Sequence, residues 1–241
     1  MITVQVRKNG LLIVGALSFL TMLLSGCLKE STSSTYTPKT YISIMHLAPR
    51  SPAVQIFINN QPSSSGINPG TVSSSYTAFD PAVLGFTFKK SGGDSVVTSL
   101  PSAVYDSLNY YTLLLYNPDS THVQALRIQD DFSVLNTTQT FYRFFHLCPD
   151  VGNVDLYFDN NIIESGRQYA DIAATSYYNQ FFSKTPSTYS IYVKKAGTDS
   201  VIAQASSVSL AAANAYTIYL KGMKGGTGSN ALTVDILQAA D

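Results

Sequence analysis

Residues 41–60 read YISIMHLAPRSPAVQIFINN, and residues 141–160 read FYRFFHLCPDVGNVDLYFDN. The two align without a gap at an offset of one hundred, sharing His-Leu-x-Pro, the later Val54 and Val154, and the closing Asn60 and Asn160. The second strand of each copy, VQIFIN (54–59) and VDLYFD (154–159), carries apolar residues at a period of two, which is the signature of strands, not helices. Ile42, Ile44 and His46 fall on one strand face, matched by Tyr142, Phe144 and His146. Arg143 stands opposite, at the position of Ser43, so the His face is expected to point to the core and the Arg143 face away from it. A second strand follows the Pro turn, with Val54, Ile56 and Ile58 alternating against Gln55, Phe57 and Asn59. Asn59-Asn60 and Asp159-Asn160 then supply residues that tolerate positive φ, so a tight turn is expected at each.

The repeat extends beyond these stretches at an offset of 105. FTFKKSGGDSVV (86–97) matches IYVKKAGTDSVI (191–202), two strands about a glycine-bearing loop. NYYTLLLY (109–116) matches NAYTIYLK (214–221), and ALRI (125–128) matches ALTV (231–234). Short alternating segments punctuated by Gly, Pro and Asn make the class all-β. Two units of this size with about seven strands each predict tandem immunoglobulin-like β-sandwiches at 40–132 and 140–238, joined by a linker at 133–139 within the polar stretch 129–139. One fused sandwich or barrel built from both repeats is the alternative.

The first 26 residues read as a leader. Arg7 and Lys8 precede the apolar run LLIVGALSFLTMLL (11–24), and LSGC (24–27) follows it. Small residues before a cysteine resemble a bacterial lipobox, which implies cleavage before Cys27, acylation of its thiol, and anchoring to a membrane through it. Residues 28–39, rich in Ser and Thr, read as a tether. Leu28 in place of Asp points away from inner-membrane retention. The expected location is therefore the outer membrane, facing the periplasm or the cell surface.

The chain carries 15 basic and 15 acidic residues. Loss of 1–26 takes Arg7 and Lys8 and no acid, leaving a formal charge of −2. No basic patch stands out, so nucleic acid is not an expected partner. With Cys27 acylated, Cys148 has no cysteine to pair with and reads as a core filler.

The His-x-x-Pro turn, the alternating strand and the Asn or Asp turn resemble the DUF4397 domain, whose pattern runs roughly H-x-S-P-D-A-P-x-V-D-V-Y-V-D/N-G. The resemblance implies an all-β fold, often tandem, on secreted or lipid-anchored chains, and implies no particular activity. Asp150 and Asp155 keep the acids of the pattern, whereas Arg50 and Gln55 replace them in the first copy. Ala48 and Cys148 replace the small hydroxyl residue before Pro.

Two sets of residues are candidates for function. His146, Asp150 and Asp155 form the set on which a metal-dependent or hydrolytic enzyme would be built, although strand parity puts His146 inward and Asp155 outward. For the histidines themselves the pattern predicts an imidazole bonded to turn backbone at the core rim. No nucleophile elbow, zinc-protease helix or phosphate loop is present, and the glycine-rich stretch 221–230 lies between strands. Asp130 and Asp131 read as solvated linker acids.

Tyrosine is the compositional excess, with 16 Tyr, 12 Phe and no Trp. Tyr157, Tyr192 and Tyr219 occupy outward positions on three strands and would form a ligand platform if those strands are neighbours. Loop 61–75 is an equal candidate. The reading is a non-catalytic, envelope-anchored lipoprotein that binds a glycan or an envelope protein, without cofactor or metal.

Overall fold

The computed structural model describes residues 37–240; the expected leader, the expected lipidation site Cys27 and most of the expected tether lie outside the described residues. Residues from Pro38 onward group as one compact unit. Its first half contains β1 (Thr40–His46), β2 (Val54–Ile58), β3 (Gln61–Pro62), β4 (Thr71–Val72), β5 (Thr77–Phe79), β6 (Ala82–Lys90), β7 (Val96–Tyr105), β8 (Tyr110–Tyr116) and β9 (Gln124–Asp130). The second half contains β10 (Thr140–His146), β11 (Val154–Phe158), β12 (Asn161–Arg167), β13 (Phe182–Lys184), β14 (Ser187–Lys195), β15 (Val201–Leu210), β16 (Ala215–Lys221) and β17 (Thr233–Ala240). Among the described residues the only helical pieces are three 3-10 turns. The fold is all-β.

Each half is a pair of sheets. The first half has the orders β4-β1-β8-β9, with β5 also on β1, and β3-β2-β6-β7. The second repeats this with β13-β10-β16-β17 and β12-β11-β14-β15. β1 runs parallel to β8, with Tyr41 opposite Tyr110, and β10 runs parallel to β16, with Phe141 opposite Ala215. The two register pairs differ by the same offsets that relate the sequences. The expected turns are present: Asn59 and Asn60 take φ of 48° and 67°, and Asp159 takes 53°.

Alternation explains the cores of the two sandwiches. Ile42, Ile56, Phe86, Phe88, Tyr111 and Leu113 close the first, and Phe144, Leu156, Phe158, Ile191, Val193 and Ile218 close the second. A third cluster joins the halves. Met45, Leu47, Leu114, Tyr116 and Ile128 from the first pack on Phe145, Leu147, Ile172 and Tyr219 from the second. The sheets holding β1 and β10 therefore meet through their other faces, giving four stacked layers. Side chains fully buried in this way contribute roughly 1.5–3 kcal/mol each. Strands buried on both faces lose their visible alternation, and every residue of β10 is buried.

This corrects two expectations. The Arg143 face does not look to solvent: Arg143 is 1% exposed and lies in the seam between the halves. Asp130 is not a solvated linker acid either, because it ends β9 and is 4% exposed. The two errors have one cause. Arg143 Nη1 donates to Asp130 Oδ1 at 2.5 Å, and each charge is buried because the other neutralises it. Arg143 Nε donates to Thr217 Oγ1 at 2.9 Å, while Tyr76 and Thr112 hydroxyls each donate to Asp130 Oδ2 at 2.6 Å. The guanidinium is flanked by the rings of Phe145 and Phe181, 4.8 and 4.5 Å from their centroids.

Candidate functional site

The tyrosines chosen from the sequence separate. Tyr157 and Tyr192 are cross-strand partners on β11 and β14, half-buried, with Lys194 Nζ 4.3 Å from the Tyr157 ring centroid. Tyr219 does not join them. It belongs to the other sheet of that sandwich, is buried in the cluster between the halves, and its hydroxyl is pushed up to about 12, chiefly by burial. Parity counted along β16 correctly places Tyr219 on the face away from the sandwich core, but that face is covered by the first half.

His46 and His146 are fully buried. Nε2 of His46 lies 3.3 Å from the Pro52 carbonyl and Nε2 of His146 3.0 Å from that of Gly152, so each ring binds the turn that follows its own strand. Burial outweighs the carbonyl contact and holds His46 down to about 4; it lowers His146 as well. Both imidazoles are therefore neutral donors in the fold. Asp150 accepts from the Cys148 thiol and, through Oδ2, from the Lys224 amide at 2.9 Å. Asp155 lies, as expected, on the face of β11 opposite the core residues Val154 and Leu156, but it is not open to solvent. It is 3% exposed, and its carboxylate receives the Gly166 and Gly197 amides at 2.7 and 2.8 Å. Thus His146, Asp150 and Asp155 share no backbone partner, and between them they hold four segments. Among the described residues no three His, Cys, Asp or Glu side chains form a metal-holding group. The Cys148 thiol is pushed up to about 12 by burial and by Asp150, so it is a poor nucleophile.

The structure instead brings together residues that the sequence reading did not select. Because β1 pairs with β8, Tyr41 stacks on Tyr110 with centroids 4.7 Å apart. Tyr76, just before β5, meets Tyr110 edge-on at 5.2 Å, and Phe132, just past β9, meets both Tyr110 and Tyr76. These four half-buried rings line a cavity of about 590 Å³ whose polar wall is Ser74, Ser75 and Gln238. Gln238 comes from β17, so both halves contribute. The Tyr76 hydroxyl is already spent on Asp130, which fixes that ring in the wall and ties the groove to the buried ion pair. Volume, aromatic walls and a few polar groups are those of a small-ligand site. Of the earlier candidates, loop 61–75 reaches it, through its last two serines. The tyrosine excess was the available signal, but it pointed to the second half when all four converging rings are in the first.

Asn117 marks a second tie across the seam, its carbonyl accepting from the Tyr169 hydroxyl at 2.6 Å. The glycine-rich loop packs there too, with Asn230 Nδ2 on the Pro49 carbonyl at 3.1 Å. Its role in the fold is structural.

No curated protein matches the chain significantly. A family model does match, from the first residue of β1 to Tyr157 in β11, which takes in the whole first half and the opening of the second. The chain thus contains, at residues 40–157, a DUF4397 domain, a domain of unknown function.

Proposed function

We propose that this protein is a non-catalytic binding lipoprotein of the bacterial outer membrane, and that its ligand site is the aromatic groove at the seam. Residues 140–238 are read as a second copy of the DUF4397 fold, packed on the first so that Gln238 and Ala239 complete one wall of the groove. The observation that carries the reading is the convergence of Tyr41, Tyr76, Tyr110 and Phe132 on one cavity beside Ser74, Ser75 and Gln238. Flat aromatic faces accept the C–H faces of sugar rings, while hydroxyl and amide side chains at the rim bond their hydroxyls. A glycan is therefore the preferred ligand, with an aromatic side chain of an envelope protein as the other source of the same contact. The anchor is Cys27, which would hold the fold to the membrane through acyl chains on a tether of residues 28–39.

Two measurements test this. Cys27→Ser should abolish incorporation of a fatty-acid probe and leave uncleaved precursor; unchanged labelling would sink the anchor. The full chain, used as bait in solubilised outer membranes, should retain a glycan or protein that a tether-only bait does not. Equal retention by both baits counts against the binding role.

A further inference from the structure

We propose that the open edge of the second sandwich is a separate binding site for an organic ammonium cation. This goes beyond the seam groove and does not depend on it. The cavity there, about 290 Å³, is lined by Tyr142, Tyr177, Tyr178, Phe182, Glu164 and Arg167 among others. The rings form a continuous, non-parallel wall. Tyr142 and Phe182 lie 6.2 Å apart at 45°, Tyr177 and Phe182 5.3 Å at 54°, and Tyr177 and Tyr178 5.3 Å at 76°. Tyr178 already carries the Arg167 guanidinium 3.9 Å from its ring centroid, so this wall accepts a cation face-on, and Tyr142, Tyr177 and Phe182 are the rings left for an ammonium group.

Charge favours the same ligand. Arg167 is buried, and Asp171 already neutralises it through two bonds, from Nε at 2.7 Å and Nη2 at 2.8 Å. Nη2 also donates to the Phe144 carbonyl at 2.8 Å. Glu164 is a second carboxylate on that one guanidinium. Its Oε2 accepts from Nη1, but its buried Oε1 has no partner. A half-satisfied buried carboxylate is costly, and burial raises the Glu164 pKa accordingly. Arg167, Asp171 and ionised Glu164 sum to one negative charge behind an aromatic wall. Lys184, 5.8 Å from the Phe158 ring, is outside the lining.

The first sandwich supplies an internal comparison. A cavity of the same size, about 290 Å³, opens at the same edge, but its walls are Ile42, Ile56, Ile58, Phe79 and Phe86, with Ser64 among its polar residues. Ser64 bonds to Ile56 where Glu164 pairs with Leu156, so the two positions correspond. Only the second copy has acquired both the rings and the acid.

Calorimetric titration of the full chain with tetramethylammonium tests the proposal, with tert-butanol as a neutral molecule of similar shape. Saturable one-site binding is expected, weaker by about tenfold or more for tert-butanol and for both Glu164→Gln and Tyr177→Ala. Tyr177 is 55% exposed, so its truncation leaves the fold intact even if loss of the Glu164 charge does not. Tyr110→Ala, in the seam groove, should leave the affinity unchanged. Absence of saturable binding, equal affinity for tert-butanol, insensitivity to Tyr177→Ala, or loss of binding in Tyr110→Ala would each overturn the site.

Discussion

Single residues in this protein are informative when their charge is set beside their burial. His46 and His146 are held neutral by burial while donating to turn carbonyls. Their contribution is complete above the ordinary histidine value of 6.5 and is lost as pH falls below it, because the unfolded chain takes the proton first. For His46 the loss continues to about 4, on the order of 3 kcal/mol in total. Denaturant titrations at several pH values should show this slope, and His46→Gln, which keeps a donor for Pro52, should flatten it. An unchanged slope in the variant would assign the acid sensitivity elsewhere. Arg143 and Asp130 make the opposite case, two charges buried together. Replacing either alone, as Arg143→Met or Asp130→Asn, should cost roughly 3–5 kcal/mol. Replacing both should cost less than the sum, and a double-mutant cycle measures the difference.

Elements were legible in proportion to how local their causes are. The two copies of the His-Leu-x-Pro stretch, the Asn and Asp turns and the glycine-bearing hairpins follow from period-two alternation and from turn residues a few positions apart. The inward histidines followed from the same parity. Arg143 was misplaced because a polar residue on a strand looks the same facing solvent or facing a buried acid, and Asp130 belongs to another strand. The groove was hidden for a related reason: Tyr41 and Tyr110 meet only because β1 and β8 pair in parallel across a gap of many residues. One loop makes a prediction at this scale. Gly70, before β4, has φ +84°, and a Cβ there would lie 2.2 Å from the Ser229 carbonyl of the second half. Gly70→Ala should therefore destabilise by roughly 2–4 kcal/mol, backbone strain and overpacking together. A loss under 1 kcal/mol in thermal or denaturant unfolding would show that the seam yields there.

At the scale of the whole molecule, the seam is a core and not a loose contact. It holds apolar side chains from both halves, a buried ion pair and hydrogen bonds that cross it. Calorimetry of the full chain should accordingly show one cooperative transition for the described fold; two separated transitions would mean that each sandwich unfolds alone. The second half takes part in the groove, with Gln238 supplied by β17 and Tyr76 braced by Asp130, the partner of Arg143. Binding at the groove is thus the claim on which the functional account rests. A glycan array probed with the full chain and with a Tyr41→Ala/Tyr110→Ala variant tests it most directly. The expected result is a glycan class retained by the natural chain and lost by the variant at unchanged melting temperature. Equal retention by both, or no glycan retained by either, would contradict it.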